Sequence, residues 1–130
     1  MLNKLKNIKK LDKLIEEKTT EIDRLRTLAT KVNQCSEGER VQTSSAGDKI
    51  SEYVVKIVDL QNEINEDIKK LVDLKRDCIK YIDTLDDPIL IGILYKRYFE
   101  YKTWENIAEE LGITRQWASI KHKKFVKSLK

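Results

Sequence analysis

The stretch Thr103-Trp104-Glu105-Asn106-Ile107-Ala108-Glu109-Glu110-Leu111-Gly112-Ile113-Thr114-Arg115-Gln116 decides how the C-terminal part of this chain folds. Ile107, Ala108 and Leu111 share one face of a short helix over about 103–111, with Thr103 placed to cap its N-terminus. Gly112 can take the left-handed conformation that ends a helix, and Ile113 can plug the core at the corner. Thr114 can cap a further helix over about 115–128. A short helix, a brief turn containing glycine and a second capped helix make up a helix-turn-helix layout. Upstream, Asp86-Asp87-Pro88 ends one helix and starts another over about 88–101. Asp87 serves as cap and Pro88 takes the first helical position, where its missing N–H costs nothing. Tyr101-Lys102-Thr103 separates that helix from the next.

Toward the N-terminus the periodicity is that of long amphipathic helices. Ile8, Leu11, Ile15, Ile22, Leu25, Ala29 and Val32 recur at steps of three and four within a helix over about 3–33, and only Lys18 breaks the seam. Ile50, Tyr53, Ile57, Leu60, Ile64, Leu71, Leu74, Cys78, Tyr81 and Leu85 keep the same heptad step over about 49–85, with Asp67 the one odd member. Between them, over about 34–48, small polar residues and two glycines interrupt the period and predict a loop, with Asp48 as the next N-cap. The fold expected is all-α. A long antiparallel, coiled-coil-like helical hairpin over 1–86 is followed by a three-helix helix-turn-helix domain over 87–130. The alternative for the long helices is a coiled coil with another chain. Leu14, Leu28, Val54, Ile68 and Ile82 widen the apolar faces enough that hairpin and homodimer are compatible.

Composition agrees. Charged residues make up 37% and aromatics 7%, as suits long helices with wet outer faces, and one proline with four glycines argues against an all-β fold. The net charge of +4 is unevenly placed. Residues 1–95 carry 17 Lys and Arg against 18 Asp and Glu, whereas residues 96–130 carry 9 against 4. From Arg115 to Lys130 there are six cations and no acid, a balance that favours polyanionic partners. A solvated basic tail would show the same charge, but Phe125, Val126 and Leu129 lie among the lysines and require something to pack against.

The helix beginning at Arg115 presents Arg115, Gln116, Ser119 and Lys123 at helical spacing, the candidate base-reading row. Arginine pairs with guanine O6 and N7, and glutamine with adenine N6 and N7, in the major groove of double-stranded DNA. Lys121, Lys124 and Lys127 suit phosphate contacts, His122 suits a phosphate contact or a packed edge position, and Thr103 with the free N–H groups behind it could hold another phosphate. Trp104 and Trp117 are expected to complete a small core.

The run Tyr98-Phe99-Glu100-Tyr101-Lys102-Thr103 through Gly112-Ile113-Thr114-Arg115-Gln116-Trp117 resembles region four of bacterial sigma factors, the domain that binds the −35 promoter element. With Arg24-Leu25-Arg26-Thr27-Leu28-Ala29-Thr30-Lys31-Val32 and Leu71-Val72-Asp73-Leu74-Lys75-Arg76, nearly the whole chain is similar to small phage and prophage proteins of Gram-positive bacteria. Those proteins join a helical hairpin to a sigma region-four-like helix-turn-helix. The resemblance implies a phage-encoded, sequence-specific DNA-binding transcriptional regulator in the bacterial cytoplasm; RNA polymerase is a further candidate partner. It implies base reading by Arg115 and Gln116 and a backbone contact at Thr103. In one respect the chain departs from the pattern. Sigma domains usually carry a polar, base-facing residue at the position of Ile120 and an aliphatic core residue at that of Lys121. Either the last helix is slightly rotated or Lys121 snorkels from the core edge.

Other chemistry is not indicated. His122 is the only histidine, and neither it nor Cys35 and Cys78 has zinc-ligand spacing, so no metal and no cofactor are expected. Glu109-Glu110 and Asp86-Asp87 read as solvation and capping rather than acid–base pairs. No phosphate loop or nucleophile elbow occurs, so no enzyme is expected. The N-terminus lacks the apolar run of a signal peptide, and no segment reaches the roughly 20 apolar residues that span a bilayer. The competing function is a coiled-coil adaptor that binds RNA polymerase or another protein without specific DNA contact.

Overall fold

A computed structural model describes residues 1–38 and 43–129. Among them are five α-helices and no strand: α1 (Leu2–Gly38), α2 (Thr43–Ile82), α3 (Pro88–Leu94), α4 (Trp104–Leu111) and α5 (Arg115–Ser128). The chain is all-α, and α1 and α2 form the helical hairpin. The loop expected over about 34–48 is mostly helix, since α1 runs to Gly38 and α2 begins at Thr43. Residues 39–42 of that expected loop, and the side chain of Cys35, lie outside the described residues. Asp48 is inside α2 and caps nothing. The apolar period lapses there without the helix ending. The stretch has no proline, and glycine inside a helix costs only about 1 kcal/mol. At its other end α2 stops at Ile82, three residues short of the expected Leu85, in a turn where the Thr84 N–H donates to Tyr81 O.

Packing divides the chain into two compact units, one of residues 13–69 and one that joins residues 1–12 to 70–130. The second therefore reaches past the boundary expected near residue 86, because the apolar rows of the first α1 turns and the last α2 turns are buried within it. Leu5, Ile8, Cys78 and Ile82 are fully buried there, as are Ile93, Leu94, Ile107 and Ala118. Ile93, Ile107 and Ala118 form the centre from α3, α4 and α5, with Ile89, Trp104, Leu111 and Ile113 packed on it. Tyr81 of α2 meets Phe125 of α5 with ring centroids 6.2 Å apart. Burial also pushes the Cys78 thiol above its ordinary value, which leaves it an inert core group.

The connections in this unit follow the expected capping. Asp87 Oδ1 accepts from the N–H groups of Ile89 and Leu90 at 3.0 and 3.4 Å, with Pro88 at the first position. The helix expected to run to residue 101 is α-helical only to Leu94 and continues as a π-helical turn over Tyr95–Phe99. Glu100 N–H closes that turn on Tyr95 O at 3.2 Å, and Lys102 N–H reaches Lys96 O at 3.0 Å. Tyr101 has a positive φ of 57°, a strained conformation for a residue with a side chain. Its hydroxyl donates to Asp12 Oδ2 and its ring lies 5.9 Å from Lys9 Nζ, contacts that offset the strain. A wide turn followed by a left-handed residue reverses the chain into Thr103, whose Oγ1 accepts from Asn106 N–H at 3.2 Å. Gly112, with φ 67°, ends α4, and Thr114 Oγ1 accepts from Trp117 N–H at 3.1 Å to start α5.

In the unit of residues 13–69, Ile22 and Leu25 of α1 are buried, with Tyr53, Ile57, Leu60 and Ile64 of α2 half-buried. The two polar residues that broke the apolar seams find each other: Lys18 Nζ donates to Asp67 Oδ2 at 2.7 Å. Asp67 is only 7% exposed, and that hydrogen bond, with Glu63 and Glu66 nearby, holds the Lys18 amine above its ordinary value. Such a pair fixes register, because sliding one helix by a turn sets each charge against an apolar side chain. Lys18→Leu or Asp67→Leu alone should therefore lower the urea midpoint, whereas the double replacement should recover stability relative to either single variant. A double variant whose loss equals the sum of the two single losses would contradict a direct pairing.

Candidate nucleic-acid interface

The rotational setting of α5 decides which side chains are available to a partner. Ala118 and Phe125, seven residues apart, are buried, so the opposite face points to solvent. That face carries Gln116, Ile120, Lys123 and Lys127 at steps of four, three and four, flanked by Trp117 and Lys124. All six are exposed, Ile120 at 51% and Trp117 at 45%. Arg115 is exposed at the first turn, where its Nη1 lies 3.3 Å from Glu105 Oε1 of α4.

The structure thus keeps four expected residues on the open side, Gln116, Lys123, Lys124 and Lys127, with Arg115 at their N-terminal end. Others are placed differently. Ser119 is half-buried, one residue off the exposed row, because its position turns it toward the side of Ala118. Lys121 is half-buried and its Nζ donates to Asp87 Oδ2 at 2.6 Å, so its charge is committed to α3. Asp87 both caps α3 and holds Lys121, and the lysine is the first cause that keeps its carboxyl below the usual range. The Ile120–Lys121 exchange therefore resolves as a snorkelling lysine beside an outward-facing isoleucine. Trp117, expected in the core, is one of the two large apolar groups α5 exposes, with Lys121 Nζ 5.3 Å from its ring.

His122 does not join the exposed row as a phosphate ligand would. It is half-buried, hydrogen-bonded through Nε2 to Tyr98 OH at 2.6 Å, with the Trp104 ring centroid 4.9 Å away. Trp104 also carries the Arg97 guanidinium at 4.8 Å, and so is a packed residue as expected. Burial first, then the charges of Arg97 and Lys6, pushes the His122 pKa below its ordinary value. With the ring neutral, Nε2 can accept from the phenol. The sequence signal that His122 packs is its step of four after Ala118 and three before Phe125.

Electrostatics sharpen the division. Lys102 lies 2.5 Å from Glu110 and 3.4 Å from Glu100, and Lys96 lies 3.3 Å from Glu110. Lys102 foremost holds the Glu110 carboxyl below its ordinary value. Lys96 and Lys102, before α4, are thus each paired with acids. Among the described residues, Lys123, Lys124 and Lys127 take part in no ion pair, and the three stand together on the exposed face of α5. Thr103 is exposed at the start of α4, with its hydroxyl engaged as the cap. No three potential metal ligands come together among the described residues, and no helix there is long and apolar enough to cross a membrane.

The buried neutral His122 makes stability depend on acidity in one window. Its folded pKa lies below that of the unfolded chain, so its contribution is complete above about pH 6.5 and is lost as pH falls through the folded value. The urea midpoint of the wild type should fall between about pH 6.5 and pH 5, and that of His122→Gln should change less. A flat wild-type midpoint across that window would contradict the buried neutral ring. No protein family matches this chain, and neither curated proteins nor solved structures yield a match.

Proposed function

We propose that this chain is a sequence-specific DNA-binding transcriptional regulator, phage- or prophage-encoded, in which α4 and α5 act as a helix-turn-helix and α5 enters the major groove. The observation that carries the reading is the exposed face of α5. Gln116, Lys123, Lys124 and Lys127 stand there together with no acidic partner, on a helix capped and phased by buried residues. A basic helix held in one orientation differs physically from a basic tail, because each side chain has a fixed place against a groove. The similarity of residues 98–117 to sigma region four supports the same reading and extends it to a contact with RNA polymerase.

Within this proposal Arg115 exchanges Glu105 for a base edge or phosphate, Gln116 reads adenine, and Lys123, Lys124 and Lys127 hold the backbone. Thr103 and the first N–H groups of α4 lie against a neighbouring phosphate. The adaptor reading draws on a different surface. Val54, Val55 and Val58 of α2 are each about half exposed, which favours a protein partner, a second copy of the chain included.

Fluorescence anisotropy on mixed-sequence duplexes separates the two. A regulator of this kind binds at low salt and loses affinity steeply as salt rises, because phosphate contacts release counterions. Arg115→Ala should cost about 1–3 kcal/mol at one base position, whereas Lys124→Ala should weaken all sequences alike. No binding at about 50 mM salt, with dimers in sedimentation, would favour the adaptor; equal loss on every sequence for Arg115→Ala would remove its base-reading role.

A further inference from the structure

Ile120 stands in the middle of the exposed row of α5, one turn after Gln116 and one turn before Lys123 and Lys124. Apart from its neighbour Trp117, it is the one large apolar side chain that α5 exposes among the described residues, since Phe125 is buried and Val126 half-buried. Ile120 and Trp117 also line a shallow cleft of about 330 Å³ with Leu90 and Phe125. An extended partner laid along this face covers Ile120 together with Gln116, Lys123, Lys124 and Lys127. The charge of that surface selects a polyanion. Duplex DNA is a polyanion whose major groove presents one apolar group, the 5-methyl of thymine, beside the edges that a glutamine and lysines can reach.

We propose that Ile120 is a specificity-determining residue that packs on the 5-methyl group of a thymine, next to the adenine read by Gln116. The inference rests on the DNA-binding reading and adds a base preference to it. An isoleucine in this position loses its water only when an apolar group covers it, so a thymine is favoured over cytosine by the burial of one methyl group. Trp117, at the edge of the same face, shields the contact from solvent on the side toward Leu90.

Duplexes enriched by the full chain from a random library test this directly. Each is re-made with deoxyuridine in place of thymidine, one position at a time, which removes the methyl and leaves every hydrogen-bonding edge. For the wild type, and for Ile120→Val, uridine at one or two positions should raise Kd about three- to fivefold. Ile120→Ala should bind the thymidine duplex more weakly and show no further loss with uridine. Its helical content, followed by circular dichroism, should match the wild type because the side chain is exposed. DNA binding that tolerates uridine everywhere would overturn the inference while leaving the DNA-binding reading standing. An Ile120→Ala protein that keeps wild-type affinity would also overturn it, and would assign Ile120 and Trp117 to a protein partner. Failure to enrich any duplex would overturn both.

Discussion

Ala118, buried against Ile93 and Ile107, sets the phase of α5 and with it the packing of the C-terminal unit. A small residue with no exposed surface lets α5 approach α3 and α4 closely, and any rotation of the helix would replace it with a larger or charged neighbour. Two further contacts hold the same setting: Phe125 against Tyr81, and Lys121 against the Asp87 that caps α3. Together they fix which residues of α5 face solvent. The capping threonines and Gly112 set where the helix starts; the core sets its phase.

The hairpin solves a similar problem with different chemistry. Its apolar rows repeat every heptad, and a repeat by itself permits sliding. Lys18 and Asp67 remove that freedom because each charge has one partner at one register. In the C-terminal unit the strained Tyr101 and the π-helical turn before it play the corresponding part, ending the third helix so that Thr103 begins α4 where its apolar face meets the core.

Much of this was legible in the sequence, and what was not has physical causes. The caps at Asp87, Thr103 and Thr114, the left-handed Gly112 and the seam residues of the long helices could be read because each depends on local chemistry or simple period. The length of the long helices could not, because polar residues in Gln34–Gly38 and Thr43–Asp48 lack apolar spacing yet retain helical propensity. Lys18 and Asp67 each read as an imperfection; only the fold shows them as a pair. On α5, Arg115, Gln116, Lys123, Lys124 and Lys127 stand open as expected, whereas Ser119, Lys121 and His122 turn toward neighbours. Their placement depends on the Ala118 and Asp87 contacts, which are tertiary. The exchange of character at Ile120 and Lys121 was the visible trace of that phase.

We propose that DNA meets the chain through the exposed row of α5. Titration of the isotopically labelled protein with a mixed-sequence duplex, followed by amide chemical shifts, tests it most directly. The largest changes should run from Arg115 through Lys127, with a further group near Thr103, all diminishing as salt is raised. Changes confined to Val54–Val58 of α2, or none at all at low salt, would contradict it.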